Sequence, residues 1–125
     1  NGIEMILGMT TDQQLGPMIT IGFGGYYAEA LKDAVTLMPP FTAETAKKAI
    51  KSLRMKSLLD GYRGTDPVDI NAFAQMASVF SLIAIEFKEQ VSEIDINPVI
   101  LGKDNCIAVD ALISLHQQKN KTEGE

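Results

Sequence analysis

The stretch Glu93-Ile94-Asp95-Ile96-Asn97-Pro98 decides the fold, because acidic or polar residues alternate there with isoleucines. This alternation has the two-residue period of a β-strand, which places the isoleucines on one face and the polar side chains on the other. The segment 102–105 reads Gly-Lys-Asp-Asn and is typical of a tight turn. The sequence therefore predicts a hairpin that is completed by a return strand from Cys106 to Leu115.

The turn determines which residues of this hairpin face each other. A turn centred on residues 103–104 sets Asn97 directly opposite Asp110 and sets Asp95, one pleat away, opposite Leu112. Directly opposed side chains lie about 4.5–5.5 Å apart at Cβ, so one carboxylate and one amide oxygen converge. A small number of oxygen ligands suits Mg²⁺ that also binds substrate phosphates. The pattern predicts a metal-binding pair, although an acidic patch on a solvent-exposed sheet face explains it equally well.

The other face of the hairpin is wholly apolar, and we expect it to pack on helices. A slip of the register by one residue would place Asp110 in the core, so the apolar face itself enforces the register. The opposed pairs predicted on this face are Ile94 with Ile113, Ile96 with Ala111 and Ile100 with Ile107, with Val109 facing Pro98.

Length, charge and cysteine content limit the classes of protein that are possible. The chain has 125 residues, of which 46% are hydrophobic, and a formal net charge of -5, which suits one domain with a real core and no nucleic-acid partner. We expect residues 1–116 to form that domain and residues 117–125 a polar tail. The longest apolar stretch, Val79 to Ile85, is too short to span a bilayer, so no membrane association is expected. The single cysteine favours a reduced, cytoplasmic setting.

The remaining periodicities predict an α+β fold, with a mostly antiparallel sheet packed with helices. The longest predicted helix is apolar over so wide an arc that more than one of its sides should be covered. Its two apolar stripes are Ile70, Phe73, Ala77, Phe80, Ala84 and Phe87, and Met76, Val79 and Ile83. The predicted strands are Glu4 to Met9, Pro17 to Phe23 and Val35 to Met38, and the predicted helices are Tyr26 to Ala34, about 43–53 after the N-cap Thr42, and Ile70 to about Lys88 after the N-cap Asp69.

Two loops offer further candidate ligand contacts. The turn Gly22-Phe23-Gly24-Gly25 precedes a helix, where exposed amides can bind phosphate, but glycine also permits an ordinary tight turn. Arg63 lies between glycines and could bind a phosphate with two hydrogen bonds, or be a plain surface arginine. Glu29 follows the glycine turn and could equally be a surface residue. His116 lies beside no acid or nucleophile, and we expect it to be non-catalytic.

Six short motifs occur in order along the chain. They are Asp12-Gln13-Gln14-Leu15-Gly16-Pro17; Gly22-Phe23-Gly24-Gly25 with Glu29 and Asp33; Pro39-Pro40; Leu59-Asp60-Gly61-Tyr62-Arg63-Gly64; Glu93-Ile94-Asp95-Ile96-Asn97-Pro98; and Ala108-Val109-Asp110-Ala111. Together, over about residues 2–115, they resemble the C-terminal part (a subdomain) of the ATP-grasp domain in NDP-forming acyl-CoA synthetases. That family includes the ADP-forming acetyl-CoA synthetases and, more distantly, the β subunit of succinyl-CoA synthetase.

The resemblance implies an acid–CoA ligase that works in steps. Acyl-CoA and phosphate give an acyl phosphate, which phosphorylates a histidine on another domain, and that histidine passes the phosphoryl group reversibly to ADP in the ATP-grasp domain. The resemblance also implies that Asp95 meets the incoming phosphohistidine, which docks beside Gly24 and Gly25. By resemblance the catalytic candidates are Asp95 and Arg63, the ATP/ADP-binding candidates are Gly24, Gly25 and Glu29, and the Mg²⁺ ligands are Asn97 and Asp110.

Other parts of such an enzyme are expected as partners of this chain. They are the N-terminal part of the ATP-grasp domain, and the CoA-binding and ligase domains that carry the phosphohistidine, since His116 matches no such motif. We therefore expect the isolated chain to be inactive. The alternative is a non-catalytic ligand-binding or regulatory module of a multidomain protein, such as a synthetase-like region fused to an acetyltransferase. The sequence flanking this chain would discriminate between the two.

Overall fold

A six-stranded antiparallel sheet with helices packed on it forms the fold, in a computed structural model that describes residues 2–25, 30–61 and 64–117. The strands are β1 (Ile3–Asp12), β2 (Gly16–Phe23), β3 (Ala34–Leu37), β4 (Val91–Leu101), β5 (Cys106–Ala108) and β6 (Ala111–Leu115), and the described helices are α1 (Ala43–Lys51), α2 (Ile70–Glu86) and a 3₁₀ helix (Lys56–Asp60). The strand order is β3-β2-β1-β4, and both β5 and β6 pair with β4. The predicted α+β class is confirmed.

Both predicted helix caps are present in the structure. The Thr42 hydroxyl accepts a hydrogen bond of 3.2 Å from the amide of Thr45 at the start of α1. The Asp69 carboxylate accepts one of 3.0 Å from the amide of Ala72 at the start of α2. Such caps satisfy amide groups that have no partner inside the helix, which fixes where each helix begins.

The hydrophobic core lies between the helices and one face of the sheet. On the central strand β1, Met5, Leu7 and Met9 are fully buried, while the residues between them are not. This is the alternation expected of a sheet with one covered face. Other large buried side chains of the core include Ile19, Ile21, Phe23, Ile50, Leu59, Phe73, Phe80, Ile94, Val99 and Leu101.

The predicted hairpin register is confirmed. Ile94 pairs with Ile113, Asp95 with Leu112, and Ile100 with Ile107. The turn closes with a 2.9 Å hydrogen bond from the Gly102 amide to the Asn105 carbonyl oxygen. The return strand is interrupted at residues 109–110, so it forms two short strands, β5 and β6, rather than one.

The prediction that Ile100 shares the core face with Ile94 is wrong. Between β1 and β4 the register shifts, because Met5 pairs with Val99 but Leu7 pairs with Ile96. Strand β4 therefore contains one extra residue in this interval, a β-bulge that reverses its alternation. Beyond the bulge, Val99 and Leu101 are fully buried, whereas Ile100 is only half-buried.

The prediction that the return strands pack on helices is also wrong for the described chain. Ile107 is 54% exposed and Ile113 is 56% exposed. Both strands are at the sheet edge, and Ile107 pairs with Ile100, which the bulge removes from the core face. In the second stripe of α2, Val79 and Ile83 are exposed, whereas Met76 is partly buried against the core.

The predicted helix from Tyr26 to Ala34 falls partly outside the described residues, which do not include 26–29. Its predicted end is wrong, since Ala34 is the first residue of β3. Lys32, with a φ of 47°, lies between the helical residue Leu31 and that strand.

Among the helices that the structure describes, none combines the length and the hydrophobicity that a membrane span requires.

Candidate functional site

Two acidic residues of the hairpin, Glu93 and Asp95, lie on the open face of the sheet, because they alternate with the buried Ile94. One row across this face runs from Thr36 through Thr20 and Gly8 to Asp95 and ends at Leu112. The six described strands contain no lysine, arginine or histidine. The strand residues of the open face that carry charge are therefore carboxylates, and the face is electronegative.

The structure brings the two candidate metal ligands together. The Asn97 amide donates a 3.2 Å hydrogen bond to the Asp110 carbonyl oxygen, and the Val109 amide donates one of 3.0 Å to the Pro98 carbonyl oxygen. These bonds place Asn97 opposite Asp110, and both side chains are exposed. The predicted pairing is thus present in the backbone, and the sharing of one ion stays a prediction.

The Asp110 carboxylate is oriented by its own backbone. Its Oδ1 atom accepts a 2.9 Å hydrogen bond from the Ala111 amide, and no described residue donates to its Oδ2 atom. Asp95 pairs with Leu112, which is two residues from Asp110 along the return strand. Such diagonal neighbours in a regular antiparallel pair lie about 7–8 Å apart. One carboxylate oxygen is therefore free for a ligand, and a second carboxylate is nearby.

The donor set fits Mg²⁺ better than a metal held wholly by protein. Among the described residues, no group of three or more His, Cys, Asp or Glu side chains is placed to hold a metal. Asn97 and Asp110 together offer one amide oxygen and one free carboxylate oxygen. Mg²⁺ keeps several waters and uses few protein ligands beside substrate phosphates, so two hard oxygen atoms on an open face suffice.

Gly24 and Gly25 are explained first by the closeness of the backbone to β1. The Gly24 amide donates a 2.8 Å hydrogen bond to the Glu4 carbonyl oxygen, and a Cβ on Gly24 would lie 3.1 Å from Ile6 Cγ2. Gly25 has a φ of 62°, and a Cβ there would lie 3.0 Å from a carboxylate oxygen of Glu4. Gly24 lies beside Ile6, which is two residues from Gly8 along β1, roughly 7 Å, and Gly8 pairs with Asp95. The docking of the phosphohistidine beside Gly24 and Gly25 stays a prediction.

Two of the candidate residues cannot be placed. Glu29 and Arg63 lie outside the described residues, so their roles stay predictions. His116, which directly follows β6, is described, and its Nε2 atom lies 3.0 Å from the Lys88 carbonyl oxygen. That contact ties the strand end to the residues after α2, which is consistent with the expected non-catalytic role.

Asp33 is a structural residue that the sequence reasoning placed only within a motif. Its side chain is 4% exposed and accepts hydrogen bonds of 2.9 Å from the Arg54 amide and 2.7 Å from the Met55 amide. Its own carbonyl oxygen accepts a 3.1 Å bond from the Phe23 amide. Asp33 thus joins the loop after α1 to the glycine turn, and its position directly before a strand gave no signal of this.

Asp12, from the first motif, closes the β1–β2 turn. Its Oδ1 atom accepts hydrogen bonds of 2.8 Å from the Gln14 amide and 2.9 Å from the Leu15 amide. These bonds favour the ionised carboxylate and hold the pKa of Asp12 below its ordinary value. The structure therefore gives this motif residue a role in the turn rather than in the site.

Comparison with known proteins identifies the class. A family model described as an ATP-grasp domain matches residues 1–115, so the chain belongs to the ATP-grasp family. The resemblance predicted from the six motifs is confirmed.

Two relatives and a solved structure show which members of the family are similar. The chain is 40% identical over 114 residues to the beta subunit of acetate–CoA ligase [ADP-forming] I of Pyrococcus furiosus, covering 91% of this chain. It is 37% identical over 117 residues to the 4-hydroxybutyrate–CoA ligase [ADP-forming] of Nitrosopumilus maritimus, covering 91% of this chain. It resembles the acetyl-coenzyme A synthetase 1 of Ca. Korarchaeum cryptofilum with a TM-score of 0.87 and 35% identity over 93% of this chain.

That solved structure contains coenzyme A and Mg-AMPPCP, with a phosphohistidine segment that points towards the nucleotide-binding site. The chain spans about half of the relatives' subunits, namely 49% of the Pyrococcus subunit and 54% of the Korarchaeum chain. It spans 16% of the longer Nitrosopumilus ligase. These relatives are acid–CoA ligases, and they do not favour the alternative of a non-catalytic regulatory module.

Proposed function

We propose that this chain is the Mg²⁺- and nucleotide-binding C-terminal part of the ATP-grasp domain of an NDP-forming acyl-CoA synthetase. The reaction of the whole enzyme is acid, CoA and ATP to acyl-CoA, ADP and phosphate, through a phosphohistidine on another domain. The observation that carries the proposal is the backbone pairing that sets Asn97 opposite Asp110, with both residues exposed. The ligase names of the relatives and the Mg-AMPPCP in the Korarchaeum structure support it.

The charge of the open face is the physical reason for a metal. Glu93 and Asp95 are both exposed on β4, and the strands supply no cation. A nucleotide polyphosphate would be repelled by such a face unless a cation lies between them. Asn97 and Asp110 are the residues that would hold that cation. When bound, Mg²⁺ would neutralise phosphate charge and orient the phosphates for transfer.

Under this proposal Asp95 acts on the phosphohistidine. During transfer to ADP, the N–P bond of the phosphohistidine breaks and a bond forms between phosphorus and a terminal oxygen of the ADP β-phosphate. The ring leaves as neutral imidazole if its other nitrogen carries a proton. A carboxylate that accepts the hydrogen bond of that N–H stabilises the protonated ring, so Asp95 makes the imidazole a better leaving group.

The remaining candidates belong to the wider site. Gly24, Gly25 and Glu29 are proposed to line the place where the phosphohistidine and the nucleotide approach, and Arg63 is proposed to contact phosphate. The partners are the N-terminal part of the ATP-grasp domain and the CoA-binding and ligase domains. The setting is cytoplasmic, as the single half-buried cysteine favours.

The test is phosphohistidine formation from ATP in the complete enzyme, at saturating and at limiting Mg²⁺. We expect Asp110→Asn to slow it severely and to raise the Mg²⁺ concentration that it requires, because a ligand charge is lost. Asp95→Asn should slow transfer while leaving the binding of Mg-ATP unchanged. Glu93→Gln, which removes a neighbouring charge on β4, is the control. It should change the rate of phosphohistidine formation and the required Mg²⁺ concentration only a little.

Full activity of Asp110→Asn at limiting Mg²⁺ would show that Asp110 is not a metal ligand. An Asp95→Asn variant that lost Mg-ATP binding in parallel with transfer would place Asp95 on the nucleotide rather than on the histidine.

A further inference from the structure

Gly8 lies in the middle of β1, on the open face, directly between two residues of the candidate site row. Its partner on β4 is Asp95, and its partner on β2 is Thr20. Glycine in the interior of a strand destabilises the strand, because it loses more conformational entropy on folding than other residues do and has no side chain to pack. A glycine at this position therefore needs a reason.

The fold itself does not supply the reason. A Cβ added to Gly8 would lie 3.8 Å from the Ile94 carbonyl oxygen and 3.9 Å from Thr20 Cβ, which is ordinary van der Waals contact, and the φ of Gly8 is not in the left-handed region. Gly22, on the neighbouring strand, differs because a Cβ there would lie 2.7 Å from Ala34 Cβ and 2.8 Å from the Asp33 carbonyl oxygen. The backbone needs glycine at position 22 but tolerates alanine at position 8.

What the glycine leaves is a position on the open face without a side chain, which we call the slot. The register sets Thr20 on one side of the Gly8 backbone and the exposed Asp95 on the other. A glycine within a strand often marks a place where a ligand approaches the backbone closely. The slot lies beside Asp95, the residue that the proposed function assigns to the phosphohistidine.

We propose that Gly8 keeps this slot open for the imidazole ring of the phosphohistidine, and so positions the ring against Asp95. This inference rests on the proposed function. A carboxylate wall attracts a ring N–H and repels a bare phosphate, so the ring enters the slot and its phosphoryl group extends toward Asn97 and Asp110. Gly8 is a positioning residue, and the reacting atoms do not need to touch it.

The experiment compares Gly8→Ala and Gly8→Val in the complete enzyme with the unchanged protein. We expect Gly8→Ala to melt at the same temperature as the unchanged protein or above it, and to bind Mg-ATP with unchanged affinity. Its single-turnover rate of phosphohistidine formation should fall on the order of 100-fold, because displacing a reacting group by about 1 Å has an effect of this size. The same rate should fall further in Gly8→Val, whose side chain is larger.

Thr36→Val is the matched control, because Thr36 is in the same row of the open face but three strands away from Asp95. Its rate should not change. An unchanged rate in Gly8→Ala, alongside a slow Asp95→Asn variant, would overturn the slot and leave the proposed function standing. A lower melting temperature for Gly8→Ala, or an equal loss of rate in Thr36→Val, would also overturn it. Absence of any phosphohistidine in the unchanged enzyme would instead refute the proposed function.

Discussion

Replacing the buried Asp33 with alanine should destabilise the fold more than any comparable change on the surface. The Asp33 carboxylate accepts hydrogen bonds of 2.9 and 2.7 Å from the amides of Arg54 and Met55. A hydrogen bond to a charged group contributes about 1.5–3 kcal/mol, and two such bonds give an expected loss of about 3–6 kcal/mol in the free energy of unfolding. The Arg54 guanidinium, 3.7 Å away and 72% exposed, adds little because solvent screens it.

Urea unfolding followed by circular dichroism measures this loss. Asp66→Ala is the control, since Asp66 is 69% exposed and its ion pair with Lys103 spans 3.9 Å. It should change the free energy of unfolding by less than about 0.5 kcal/mol. If Asp33→Ala lowered the free energy of unfolding by less than about 1 kcal/mol at an unchanged denaturant slope, the hydrogen bonds from the two amides would not stabilise the loop after α1.

Three further predictions concern acid stability, the cysteine and nucleotide binding. The amides of Leu15 and Gln14 lower the pKa of Asp12, so the ionised carboxylate stabilises the fold. This contribution to the free energy of unfolding is present above about pH 4 and is lost as the pH falls through the lower pKa of the folded state. Asp12→Asn should therefore make the free energy of unfolding less dependent on pH in acid. Burial, and secondly the charge of Asp69, raise the pKa of the Cys106 thiol, so iodoacetamide should alkylate it at neutral pH more slowly than in the unfolded chain, and an equal rate would contradict this. The isolated chain should bind Mg-ADP poorly by calorimetry, since under the proposed function it supplies only one side of the nucleotide site; micromolar binding would show that the adenine pocket is built from residues of this chain.

The hairpin register followed from sequence because a single turn and a repeating apolar pattern determine it. The pairing of Asp95 with Leu112 and the closing bond at Gly102 agree with the prediction. The two helix caps followed for a similar reason, since Thr42 and Asp69 each satisfy amides within three residues along the chain. Local chemistry and short-range periodicity are what a sequence shows directly.

The bulge in β4 was missed although Pro98, between Ile96 and Ile100, is a local signal for it, because proline within a strand is confined to edges, first residues and bulges. The pairing with β1, which aligns Val99 with Met5, shows where the extra residue lies. The roles of Gly8 and Asp33 were missed for another reason. Their partners are on other strands or on a distant loop, and no spacing in the sequence points to them.

The candidate site was predictable in its pairing and not in its surroundings. Asn97 and Asp110 are opposed as their positions in the hairpin require. The resemblance placed Gly24 and Gly25 beside the phosphohistidine, which stays a prediction, and the structure adds that both positions lie close to β1 at Ile6 and Glu4. A motif residue can thus shape the backbone and also adjoin a ligand, and the sequence alone does not separate the two roles.

The most direct test of the central claim is where a divalent cation binds on this chain. Mn²⁺ prefers the same hard oxygen ligands as Mg²⁺ and broadens nearby NMR signals. Titrating the isotope-labelled chain with Mn²⁺ should broaden the Asn97 side-chain amide and the backbone amides of Asp110 and Ala111 first. The effect should be much weaker in Asp110→Asn and unchanged in Asp66→Ala. Broadening centred elsewhere on the chain, or unchanged in Asp110→Asn, would contradict the assignment of Asn97 and Asp110 as the metal ligands.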